Sequence, residues 1–362
     1  MAPMTKRERV LRTISFQETD RVPLYDILQN DGLIEHFAGR RLDVQDGDVT
    51  KGLAIGRCLD MTRMPNGPSA LGIERRDDGL VIRRERWTSW IIERPWKDFA
   101  GLVEWVSLEI ERIEQSIYDR AYAQAFQATM DRFQGYLGDD TVQVVESGAG
   151  LTEIYWAVGW EDLAYLLADR PGLVEAWLDA RNRAELRRVA AIASPQRIPI
   201  ALTYDDIAYK TSLLFSPKWL RQHWFPRLKR LNDAWHTRGA RCLFHSDGFL
   251  WPVLDDLVAA GIDGLNPLEV QAGMTVREVR QRYPQLFLTG GVDVSQLLPL
   301  GTPEEVRAAC RENIAATGGR GYFLGSTTEL HWEIPTANIL AMFETAWSTA
   351  APDALCGPDH PR

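Results

Sequence analysis

The sequence predicts an α/β fold, a (β/α)8 barrel with N-terminal helical and hairpin additions. Three observations predict it. From about residue 140, short apolar runs alternate with helical segments, the pattern of parallel strands covered on both faces. Six strand-then-helix units can be counted after that point, with an earlier strand at 22–25, and one more within 50–90 completes eight. No GxGxxG or GxxxxGK[ST] loop is present to support a nucleotide-binding doubly wound sheet.

Residues 1–135 have an irregular texture. A first helix is expected at 5–16, a strand at 22–25, a hairpin within 73–94, where GLVIRRERWTSWIIER alternates, and a helical run at 103–133. The regular part, 140–350, begins with the β-branched run TVQVVE (141–146) and helices over 152–189. IPIALTY (198–204) reads as a buried strand, and Ser216-Pro217 opens a long helix to about residue 238, serine capping and proline taking the first turn. ARCLFH (240–245) is the next strand, followed by a helix at 250–260 closed by Gly261. A brief strand at 262–266, a helix at 276–283, a strand at 286–290, a Thr302-Pro303 helix start, a strand at 321–325 and a last helix at 336–347 complete the series. The whole of 1–350 is expected to form one domain, and 351–362 a flexible tail.

Composition limits the function. The chain has 362 residues, 45% of them hydrophobic, with 13 Trp and a formal net charge of −9. It is long enough for a large core, and it lacks the bulk positive charge that binding to phosphate backbones requires, so nucleic acid is not an expected partner. Cys58, Cys242, Cys310 and Cys356 stand far apart, without a CxxC pair or a disulfide framework. The N-terminus shows no apolar leader segment, and no apolar run reaches the roughly 20 residues a membrane span needs. A soluble, cytoplasmic protein is expected.

In a barrel of this kind the active site sits at the C-terminal ends of the strands. The residues there form a polar series: Tyr25 and Asp26, Glu146, Tyr204 with Asp205 and Asp206, His245 with Ser246 and Asp247, Asn266 and Glu269, Asp293, and Ser326. Asp205 and Asp206 are candidates for proton transfer or charge stabilisation, or one of them caps its own loop. His245, Asp247 and Glu269 form a candidate ligand set for zinc or another divalent ion; otherwise His245 supports a loop through Asp247. Tyr204 and His245 join Asp205 and Asp206 as candidate catalytic residues, and Tyr25, Glu146, Asn266, Ser326 and His331 are candidates for shaping a small-molecule pocket. Trp156, Trp160, Trp219, Trp224 and Trp235 fall on helices and read most simply as core or interface.

The order of these segments resembles the uroporphyrinogen decarboxylase superfamily, which includes cobalamin-linked methyltransferases. The matching pieces are TKRERVLRTISFQETDRVPL, YDDIAY, LLFSPKWLRQHWFPRLKRL, FHSDGFLWPVLDDLVAAGIDGLNPLE, LTGGVDVSQLLPLGTPEEV, GGRGYFLGSTTEL and IPTANILAMFETA. The arginine-rich RQAGRY-type segment of the decarboxylases is replaced here by LYDILQNDGLIEHFAG, with no arginine before Arg40, and the FSDIL-type aspartate has no clear counterpart. The methyltransferase branch is closer. Where its members bind zinc through His-x-Cys and a later Cys, this chain has His245-x-Asp247 and Ser326, a harder donor set suited to an ether, amine or hydroxyl oxygen.

The resemblance therefore implies an enzyme that moves a methyl group from a small O- or N-methyl substrate to a corrinoid. No DxHxxG loop is present, so the corrinoid is expected on a separate protein. A homodimer is also implied. The alternative from another reaction class is a metal-free decarboxylase or lyase using Asp205 or Asp206. A third is a barrel recruited for binding without catalysis.

Overall fold

A computed structural model describes residues 3–349, so the expected tail at 351–362 lies outside the described residues. Eight strand positions run in parallel around a closed ring. They are β1 (Tyr25–Asp26), β2 (Met61–Thr62), β3 (Val142–Gln143, continued by Val145–Gly148), β4 (Ile200–Tyr204), β5 (Arg241–His245), β6 (Gly264–Leu268), β7 (Phe287–Val292) and β8 (Tyr322–Ser326). β1 pairs with β2 and β2 with the first half of β3, whose second half pairs with β4. The order then runs through β5, β6 and β7 to β8, and a bridge from Leu324 to Leu24 closes the ring.

The second strand, weakly marked in the sequence, is only two residues long and follows a helix at Gly47–Cys58. The expected hairpin is a three-stranded antiparallel sheet, Gly72–Arg75, Val81–Arg84 and Ser89–Glu93. The helical run after it is two helices, Phe99–Glu114 and Arg120–Leu137.

Two apolar layers hold the barrel. Side chains alternate across each strand, so Leu202 and Leu243 point inward, where they meet Tyr25, Met61, Ile200, Phe287 and Phe323. The first helix, Lys6–Ile14, adds Val10 and Ile14 to the same cluster. Outside the ring, Trp177, Trp224 and Trp235 are fully buried in the main core. Trp156 and Trp160, by contrast, are 58% and 48% exposed, so of the two expected settings, core or interface, they lie outside the core.

The expected caps are present. Ser216 accepts from the Trp219 N–H at 3.2 Å, and Thr302 forms a reciprocal capping box with Glu305. The long helix after Ser216 is not uniform: a π turn at Leu220–Trp224 interrupts it. Pro226 has no N–H to give, and its ring would crowd the carbonyl four residues earlier, so the widened turn relieves a local conflict. That turn carries Trp224, whose indole reaches Asp205.

Candidate active site

The side chains at the C-terminal ends of the strands divide by strand alternation. His245 stands opposite Tyr204 on one side and Asn266 on the other in the parallel register, in line with the inward-facing Leu202 and Leu243. Asn266 Nδ2 donates to Thr289 Oγ1 at 2.5 Å, which leaves its Oδ1 to accept from His245 Nδ1 at 2.8 Å. The imidazole therefore keeps its Nε2 lone pair free, and Nε2 lies 3.7 Å from Asp206 Oδ1. Burial, with the Arg63 charge nearby, pushes the His245 pKa well below its ordinary value and keeps the ring neutral.

Asp205 and Asp206 separate completely. Asp205 is fully buried, and its carboxylate accepts from the Thr152 N–H at 2.5 Å and the Trp224 indole N–H at 2.7 Å. It thus caps the start of the helix Leu151–Val158 from a neighbouring loop. Thr152 returns the contact, its Oγ1 accepting from the Asp206 N–H at 2.8 Å. The first aspartate anchors the loop, and the second is delivered to the barrel mouth. Only Asp206 joins His245.

Asp247 completes the cluster. One oxygen each from Asp206 and Asp247 and one ring nitrogen of His245 all lie within 4.8 Å of one another. Asp247 Oδ1 is buried and has no hydrogen-bond partner among the described residues. Burial and the neighbouring Asp206 and Glu269 carboxylates push its pKa well above the ordinary value. A buried carboxylate oxygen without a donor, beside a neutral imidazole with a free lone pair, suits a divalent cation. One nitrogen and two oxygens is a donor set acceptable to zinc or a harder ion.

Glu269, expected as the third ligand, does a different job. Its Oε2 accepts from the Gly248 N–H at 2.7 Å, holding the loop after β5. Gly248 has φ +93°, and a Cβ there would come within 2.7 Å of the Tyr209 carbonyl oxygen. The glycine lets that loop pass close to its neighbour, and Asp206 takes the place in the cluster expected for Glu269.

The remaining expected residues surround this point or stand apart. Tyr25 is buried, and its hydroxyl has no partner among the described residues. Glu146 Oε1 accepts from Arg63 Nη1 at 3.1 Å. Tyr204 donates its hydroxyl to Glu153 at 2.8 Å, which ties it to the rim above β3. Ser326 is not free for a ligand: its hydroxyl and its N–H both donate to Asp26, each at 2.8 Å, joining β8 to β1 where the ring closes. Asp293 is likewise occupied, by the N–H groups of Ser295, Gln296 and Leu297. His331 lies 3.2 Å from the Val294 carbonyl oxygen through Nε2 and accepts from the Glu333 N–H through Nδ1, so it braces two loops.

Arg63, which directly follows β2, is a site residue outside the expected set. It is 8% exposed, and its Nε is buried without a partner among the described residues. The signal was present, a charged residue at a strand end, but a two-residue strand is too short to show a period. Cys58, Cys242 and Cys310 are buried free thiols away from the cluster, and Cys356 lies outside the described residues. No described helix is long and apolar enough to cross a membrane.

A closed parallel barrel with a neutral imidazole, two half-buried carboxylates and a buried arginine at the strand C-termini has the organisation of a barrel enzyme. The chain belongs to the uroporphyrinogen decarboxylase (URO-D) family, whose model matches residues 116–348. Among solved structures it resembles a methyltransferase from Methanosarcina mazei, with a TM-score of 0.66 and 17% identity over 95% of this chain and 98% of that one. A xylose isomerase-like TIM barrel protein from Mycobacterium smegmatis, in complex with magnesium, aligns at a TM-score of 0.33 and 10% identity over 70% of this chain and 90% of that one. No curated protein matches the chain.

Proposed function

We propose that the protein is a methyltransferase-like enzyme that removes a methyl group from a small O- or N-methyl substrate, the acceptor being a corrinoid carried on a separate protein. The observation that carries this reading is the convergence of a His245 ring nitrogen, Asp206 and Asp247 at the barrel mouth, with Asp247 Oδ1 lacking a hydrogen-bond partner among the described residues. These three residues would hold a divalent ion, which when bound supplies Lewis-acid polarisation of the substrate heteroatom. Asn266 orients the imidazole, Thr152 held by Asp205 positions Asp206, and Glu269 shapes the Asp247 loop. The inward Tyr25 and Arg63 set the polar wall on which the substrate rests.

The test is metal content by elemental mass spectrometry together with methyl transfer from methyl ethers or methylamines to added cob(I)alamin. Near-stoichiometric metal that is lost in a His245→Ala/Asp247→Ala variant, along with the activity, is the expected result. Full activity after exhaustive chelation would sink the metal-assisted reading.

A second reading, a carboxy-lyase, is favoured by Arg63, a buried guanidinium near Asp206 and Asp247 that can hold a carboxylate. It predicts carbon dioxide release that survives chelation and disappears in Asp206→Asn.

A further inference from the structure

The three-stranded sheet and the loop after β2 enclose a cavity of about 550 Å³ whose lining departs from the rest of the molecule. The chain carries a net charge of −9, yet Lys51, Arg63, Arg84 and Arg86 line this space against a single carboxylate, Glu329. Arg84 and Arg86 are neutralised on the surface by Glu74 and Asp31. Lys51 is not, and Arg63 is only partly so, through Glu146. Lys51 is 2% exposed, and among the described residues no carboxylate lies within ion-pair distance of its Nζ; that nitrogen instead stands 4.9 Å from the Trp87 ring centroid. Arg63 shares one nitrogen with Glu146 and leaves Nε buried and unpartnered.

Burying an ammonium and part of a guanidinium without full partners is costly in a protein that folds for stability alone. Around them stand four tryptophans. Trp87 packs on Lys51, while Trp90, Trp156 and Trp332 border the same cavity at 53%, 58% and 56% exposure. Large aromatic faces left open around two buried cations match a flat apolar body with an anionic end.

We propose that this cavity binds the carboxylate of a small aromatic acid, with Lys51 and Arg63 holding the carboxylate and Trp87, Trp90, Trp156 and Trp332 enclosing the ring. The fate of the bound molecule rests on the methyl-transfer reading, which would make the substrate a methoxy- or methylamino-substituted aromatic acid. The binding itself requires neither metal nor corrinoid. Arg63 links the two regions, since it lines the cavity and also pairs with Glu146 at the barrel mouth.

The probe is benzoate, followed by tryptophan fluorescence and calorimetry, with benzamide as its neutral analogue and inorganic phosphate as an anion without a ring. Wild-type protein is expected to bind benzoate at least about tenfold more tightly than benzamide, from the charge-assisted contacts. Lys51→Met and Arg63→Gln should each weaken benzoate about tenfold or more while leaving benzamide unchanged, which also shows that the variants are folded. Arg63→Lys should recover part of the loss. Equal affinity for benzoate and benzamide, phosphate binding as tightly as benzoate, or no saturable benzoate binding would each overturn the proposal. If benzoate binding follows Lys51 and Arg63 but no methoxybenzoate is demethylated with metal and cob(I)alamin supplied, the methyl-transfer reading fails and the aromatic-acid site stands.

Discussion

His245 Nδ1 lies 2.8 Å from Asn266 Oδ1 on the adjacent strand. This one contact selects the tautomer, turns the imidazole edge and leaves Nε2 facing Asp206 and Asp247. An outer partner of this kind commonly changes metal affinity by about 10- to 100-fold. Asn266→Ala is therefore expected to weaken zinc binding within that range without unfolding the protein. Competition with a chromophoric chelator measures it, and unchanged affinity would show that the ring is held by packing alone.

Asp205 and Asp206 are neighbours in sequence with opposite assignments. Asp205→Ala strands two buried donors, the Thr152 N–H and the Trp224 indole. Leaving a buried donor unsatisfied costs about 1–3 kcal/mol, so urea denaturation should show a loss of at least that order. Asp206→Ala should leave the unfolding midpoint nearly unchanged and lower metal content. The reverse pattern would reassign the pair.

Ser326 provides a similar contrast with its expected role. Removing its hydroxyl takes one of the three hydrogen bonds that Asp26 accepts from Ser326 and Ile27. Burial pushes the Asp26 pKa up to about 7, so the carboxylate depends on those donors. Ser326→Ala should destabilise the fold by about 1–3 kcal/mol. Its effect on benzoate affinity should be small, and a large one would return Ser326 to the binding wall.

Lys51 sets a pH dependence. Burial pushes its pKa down to about 7, whereas in the unfolded chain it stays near 10.5. Between those values the unfolded state binds a proton that the folded state does not, so this group's contribution to stability rises as pH climbs from about 7 to 10.5. Below pH 7 the full cost of the buried charge is present. Lys51→Met should raise stability near pH 7 and flatten the slope above it, as followed by chemical denaturation across that range. An unaltered slope would mean that the ammonium is solvated.

The barrel is legible along the chain. Strand period, helix caps such as Thr302-Pro303 and Ser216-Pro217, and the apolar runs after residue 140 are local signals, and each is legible within a few residues. They also placed His245, Asp206, Asp247, Glu146 and Asn266 at strand ends, because a parallel barrel collects those ends on one face. Which of them meet depends on how distant segments pack. Alternation and the reach of the Trp224 indole turned Asp205 away from the mouth, the closure of β8 on β1 engaged Ser326, and the Gly248 turn occupied Glu269. Lys51 and Arg63 could not be singled out beforehand. Their importance lies in burial without full partners, which depends on residues from distant parts of the chain folding over them.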